Sequence, residues 1–96
     1  MGKKKIVADC FLCGSPSTYD ETDHSNCRYY NCEGAECGDF EISRRAMGHI
    51  ETSPTRRAQL SAKAREAREK GQVLRIVIDS PSQQLSISIV GKDAVR

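Results

Sequence analysis

Ninety-six residues, 38% of them apolar, with three Tyr, two Phe and no Trp, make one small domain or a small domain with an appendage. No run approaches the roughly 20 apolar residues of a membrane span. Ile6-Val7-Ala8 behind Lys3, Lys4 and Lys5 is too short for a signal-peptide core. A formal charge of +2 gives no global field strong enough to gather polyanions, so any nucleic-acid contact has to come from a local basic patch.

Residues 1–9 read as a basic lead-in running into a first strand at Ile6-Val7-Ala8. The three lysines serve as a solubilising start or, alternatively, as a phosphate-gripping arm. Cys10-Phe11-Leu12-Cys13-Gly14 follows, a tight turn closed by Cys-Gly. Such a knuckle curls its amides toward the sulfurs and often needs φ > 0 after the second cysteine, which glycine reaches cheaply. Residues 14–26 carry turn chemistry and acidic residues, so a surface loop is expected there, with at most a short strand near Thr18-Tyr19.

Cys27-Arg28-Tyr29-Tyr30-Asn31-Cys32 is a strand, with Cys27, Tyr29 and Asn31 on one face and Arg28, Tyr30 and Cys32 on the other. It leads into the second Cys-Gly turn, Cys32-Glu33-Gly34-Ala35-Glu36-Cys37-Gly38, wider than the usual two-residue spacing and expected to bulge at Gly34. Asp39-Phe40-Glu41-Ile42 alternates polar and apolar, so it is the return strand, with Phe40 and Ile42 facing the core.

Two Cys-Gly knuckles with 18 residues between them read as a four-cysteine zinc ribbon, with Cys10, Cys13, Cys32 and Cys37 holding one structural Zn²⁺ per chain. Zinc would supply the staple that so small a core needs. Zn²⁺ adds +2 and four thiolates add −4, which brings the formal charge from +2 to zero. His24, or Cys27 in place of Cys37, are the rival ligands. Cys27 otherwise reads as a half-buried structural thiol. An odd number of cysteines at ligand spacing points to a reducing cytoplasm.

Ser43 opens a short helix, Arg44-Arg45-Ala46-Met47-Gly48-His49-Ile50, with Ala46, Met47 and Ile50 inward. Ser53 as N-cap, Pro54 at the first helical position and Gly71 past the end frame a longer helix with a thin apolar stripe of Leu60, Ala64 and Ala67. Its cations flank the stripe: Arg56, Lys63 and Lys70 on one side, Arg57 and Arg68 on the other. Residues 72–90 form a hairpin in which Leu74, Ile76 and Ile78 face the same way as Leu85, Ile87 and Ile89. An isolated hairpin is marginal in water, so the Leu60 helix, the ribbon or a second copy of the chain must cover that face.

Cys10-Phe11-Leu12-Cys13-Gly14, Tyr29-Tyr30-Asn31-Cys32 and Cys37-Gly38-Asp39-Phe40-Glu41-Ile42-Ser43 together resemble the zinc ribbons of short bacterial and phage proteins. Those proteins similarly continue into a basic helical stretch like Arg56-Arg57-Ala58-Gln59-Leu60-Ser61, so the resemblance spans roughly the first two thirds of the chain. It implies the metal site and says little about activity, because ribbons host many functions. Rubredoxins also carry paired Cys-Gly knuckles, but such iron carriers are acidic and aromatic-cored, and they lack a long helix and hairpin like those expected here.

The expected architecture is therefore α+β: a four-cysteine ribbon over residues 1–43, then a helical segment and hairpin over residues 44–96, packed on the ribbon or on a second subunit. Catalysis is not expected. Four cysteines close a zinc shell that a catalytic ion leaves open, and no Ser/His/Asp set or phosphate-cradling loop appears. Two functions remain. In one, the chain is an interaction or adaptor module that uses Leu85, Ile87 and Ile89 toward a protein partner or itself. In the other, Arg28, Tyr29, Tyr30, Arg44, Arg45, Arg56 and Arg57 bind nucleic acid, tyrosines on bases and arginines on phosphates. Neither implies a membrane or a small-molecule substrate.

Overall fold

The computed structural model describes residues 6–22, 26–34, 37–79 and 84–91. Lys3, Lys4, Lys5, His24, Glu36, the hairpin turn at 80–83 and the tail at 92–96 lie outside them. These residues are α+β, with six strands in one mixed sheet and two helices. The strands are β1 (Ile6–Asp9), β2 (Pro16–Thr22), β3 (Cys27–Cys32), β4 (Phe40–Ser43), β5 (Gln72–Asp79) and β6 (Gln84–Gly91), paired in that order across the sheet. The helices α1 (Arg44–Ile50) and α2 (Pro54–Glu69) stand between β4 and β5.

Every neighbouring pair is antiparallel except β4 and β5, which run parallel with Phe40 opposite Leu74 and Ile42 opposite Ile76. Parallel neighbours need a long crossover, and α1 and α2 supply it. The C-terminal hairpin thus continues the cysteine-bearing sheet. No helix among the described residues is long and apolar enough to cross a membrane.

Both helices start as their sequences dictate. The Ser43 hydroxyl accepts from the Ala46 amide at 3.1 Å, and the Ser53 hydroxyl accepts from the Arg56 amide at 3.3 Å with Pro54 just inside the helix. Such a cap contributes about 1 kcal/mol. Lys70 caps helix α2, and Gly71 takes φ +69°, where a side chain would be strained.

The core lies between the helices and one face of the sheet. Phe40, Ile42, Leu74 and Ile76 are fully buried there beneath Ala46, Ile50, Leu60 and Ala64. Each large side chain so buried contributes about 1.5–3 kcal/mol. Tyr30 stacks on Phe40 with centroids 4.9 Å apart and packs against Tyr19 at 5.1 Å, so an aromatic row crosses β2, β3 and β4.

The stretch before Cys27 corrects a sequence expectation. In place of a surface loop, residues 16–22 form a seven-residue strand with partners on both sides. Tertiary pairing overrides the turn-prone composition. Pro16 occupies the strand's first position, where no ladder donor is required, and Ser17 and Tyr19 turn into the core. Thr18 and Asp20 take the opposite face.

Candidate metal centre

The first knuckle joins β1 to β2. The Cys10 amide donates to the Ser15 carbonyl at 2.8 Å and the Gly14 amide to the Cys10 carbonyl at 2.9 Å, which closes a tight loop with Gly14 at φ +79°. The second knuckle leaves the end of β3. There the Gly34 amide donates to the Cys32 sulfur at 3.4 Å, and the Cys37 amide donates to the Gly34 carbonyl at 3.3 Å.

These turns bring the sulfurs of Cys10, Cys13, Cys32 and Cys37 within 4.8 Å of one another. Cys13 and Cys32 are 3.3 Å apart and Cys10 and Cys37 3.9 Å. A tetrahedron with metal–sulfur bonds of about 2.3 Å has edges near 3.8 Å, so one small ion fits the cluster. Cys10, Cys32 and Cys37 are buried, and Cys13 is half-exposed. Soft thiolates in this arrangement suit zinc or iron.

The thiols are held unequally. The shared hydrogen bond with Cys37, then burial, pushes Cys10 far up, and burial pushes Cys32 up to about 12. Burial also opposes ionisation of Cys13, but hydrogen bonds from the side chain and backbone of Ser15 outweigh it and bring that thiol down to about 7. A cation in the cluster would favour the thiolate forms of Cys10 and Cys32.

Helix α2 supports the second knuckle in a way the sequence does not announce. Arg68 donates from Nη1 to the Gly34 carbonyl at 2.9 Å and from Nη2 to the Cys32 carbonyl. Gly38 lies so close beneath the helix that a Cβ there would sit 2.4 Å from the Ala64 carbonyl oxygen and 2.9 Å from the Arg68 Cβ. Gly34 is similarly tight against Ser15 and the Cys13 sulfur. The two Cys-Gly glycines thus have different reasons to exist. Gly14 supplies a left-handed backbone, whereas Gly38 supplies room for α2 and has no positive φ. Arg68 had no sequence signal, since its role depends on where a helix 31 residues beyond Cys37 comes to rest.

Cys27 stands apart from the cluster. It occupies the other end of β3, five residues or about 17 Å from Cys32, buried and opposite Ser43.

The seven residues considered for nucleic acid are dispersed. Tyr30 is 2% exposed inside the core and has no face to offer a base. Tyr29 points to the other side of the sheet, buried beside Val73, with its hydroxyl 3.5 Å from the Asp39 carboxylate. The Arg28 guanidinium lies over the Tyr19 ring at 4.4 Å and donates to the Tyr30 hydroxyl at 3.3 Å. Arg44 pairs with Glu21 at 3.1 Å, and Arg44 and Arg45 line a hollow with Arg75, whose own partner is Glu41 at 3.3 Å. Arg56 lines a different hollow, beside His49 and Leu85, and Arg57 is half-buried on α2.

Leu85, Ile87 and Ile89 project toward the helix-covered side of β6, where Leu85 and Ile87 are partly covered and Ile89 remains 44% exposed. Comparison of the chain with protein-family models, curated proteins and solved structures finds no match.

Proposed function

We propose that the chain is a non-catalytic interaction module in which one zinc ion, held by Cys10, Cys13, Cys32 and Cys37, staples a sheet whose β6 edge docks a protein partner. Four thiolate donors complete a tetrahedral shell, which is the arrangement of a structural ion. Zinc would tie the β1–β2 turn to the end of β3 and, through Arg68 and Gly38, to α2.

The observation that carries the docking role is the character of β6. This eight-residue strand ends the sheet, pairs only with β5 among the described residues, and contains no charge and no proline. Sheets usually blunt such an edge with charges, prolines or a short strand, because unpaired amides and carbonyls recruit another strand. The other edge, β1, is four residues long and ends in Asp9. The nucleic-acid alternative has weaker support, because its tyrosines are buried and its arginines divide between the Tyr19 face and two separate hollows.

Native mass spectrometry at two ionic strengths, with and without a short mixed-sequence oligonucleotide, tests both readings. One zinc per chain and no retained oligonucleotide are expected. An oligonucleotide complex that dissolves as salt rises would transfer the function to the arginines, and a chain without zinc would remove the staple.

A further inference from the structure

Resting on that reading of β6, we infer that the partner is a second copy of this chain, paired antiparallel through β6 about a two-fold axis at Ile87, so that two six-stranded sheets become one. An isologous interface needs a surface complementary to itself. Read outward from Ile87, Leu85-Ser86-Ile87-Ser88-Ile89 has that property, with Gln84 left opposite the partner's Val90 at the strand ends. Ser86 meets the partner's Ser88, Leu85 meets the partner's Ile89, and Ile87 meets its own equivalent.

The register is constrained as well. Residues directly opposite in an antiparallel pair point to the same face, so an axis normal to the sheet that keeps both helical layers on one side must pass through a residue. An axis at Ser88 would set Leu85 against Gly91, and one at Ser86 would leave Ile89 beyond the end of the partner's strand. Only the axis at Ile87 matches all three oily residues and both serines.

Shape agrees with this register. Ile89 is the exposed knob of the row, at 44%. Four residues away, Leu85 borders a hollow of about 470 Å³ lined by His49, Ile50, Ser53, Arg56 and Gln84. Across an antiparallel pair the partner's Ile89 would stand about 5 Å from Leu85, at the mouth of that hollow, and symmetry repeats the contact. Because β6 carries no charge, two identical strands meet without repulsion. Eight residues a side is fewer than the roughly 20–30 of a standard interface, so the dimer should be weak, with Kd on the order of 1–100 μM.

The test is sedimentation velocity of the zinc-loaded full chain from roughly 5 to 500 μM, a range that brackets an interface of this size. Two double variants on the exposed face of β6 accompany it. In S86E/S88E the register sets glutamate against glutamate twice, and dimerisation should weaken at least about tenfold. In S86K/S88E it sets lysine against glutamate twice, and the dimer should persist. Both variants keep Glu at position 88 across from Arg75 and differ only at position 86, across from Val77, and circular-dichroism melts check that the two monomers are equally stable. A wild-type chain that stays monomeric overturns the inference, as does equal behaviour of the two variants. Neither outcome touches the zinc-stapled module itself, whose failure would instead appear as a chain without zinc or as salt-sensitive oligonucleotide capture.

Discussion

Replacing Gly38 by Ala tests how α2 and the second knuckle are joined. The added methyl would lie 2.4 Å from the Ala64 carbonyl oxygen and 3.0 Å from the Ala64 carbonyl carbon, both backbone atoms in the middle of a helix. Neither can rotate away, so α2 must move outward. Overpacking of this kind costs about 1–3 kcal/mol. An outward shift also stretches the Arg68 bonds to Gly34 and Cys32, each contributing about 0.5–1.5 kcal/mol. The expected loss is therefore about 2–4 kcal/mol out of the roughly 5–15 kcal/mol available to a small domain. With a urea m-value near 2 kcal/mol/M, the unfolding midpoint of the zinc-loaded protein should fall by about 1–2 M at unchanged m. Gly14→Ala is the contrasting variant: its Cβ would meet nothing within 4 Å, so only the left-handed backbone is penalised, by about 1–2 kcal/mol. A Gly38→Ala midpoint equal to wild type would refute the close approach of α2.

Other consequences follow from the same geometry. Arg68→Met keeps the apolar stem but removes both bonds to the knuckle carbonyls, and should lower stability by about 1–2 kcal/mol and speed zinc loss to a colorimetric chelator. Cys37→Ser should abolish stoichiometric zinc binding, whereas Cys27→Ser, about 17 Å from the cluster, should retain one zinc per chain by elemental analysis. Loss of zinc from Cys27→Ser would overturn the ligand set. Because Cys10 and Cys32 are held up as thiols in the metal-free chain, zinc must displace a proton from each. Affinity should therefore fall as pH falls, by at least about two decades per unit between pH 8 and 7, and an affinity flat across that window would refute the assignment. Removing zinc with a chelator at pH 7.5 should expose the amides of β1, the first knuckle and the end of β3 to hydrogen exchange before those of β5.

Much of this protein is legible in residue order because short-range chemistry dictates it. Ser43, Ser53, Pro54 and Gly71 mark the helix ends through hydrogen bonds and backbone preferences that span only a few residues. The alternation in residues 72–90 reports a hairpin because pleated backbones point successive side chains to opposite faces. Cys10, Cys13, Cys32 and Cys37 declare themselves because ligands on tight turns need fixed local spacing. What lies between elements was not legible. The polar stretch 16–22 became a strand because β1 and β3 flank it, a fact of pairing that its own composition opposes. By sequence Tyr29 and Tyr30 suit either base stacking or a ribbon core, and the position of their strand within the sheet buries both, Tyr30 in the main core and Tyr29 on the other face beside Val73 and Asp39. Gly38 is needed for space and Arg68 for two carbonyls only once the parallel joining of β4 to β5 has laid α2 across the knuckle. Local spacing determined the helices, the C-terminal hairpin and the cysteine site. The three-dimensional packing of distant segments decided which face is buried, which strands end the sheet among the described residues and which side chains brace the cysteine turns.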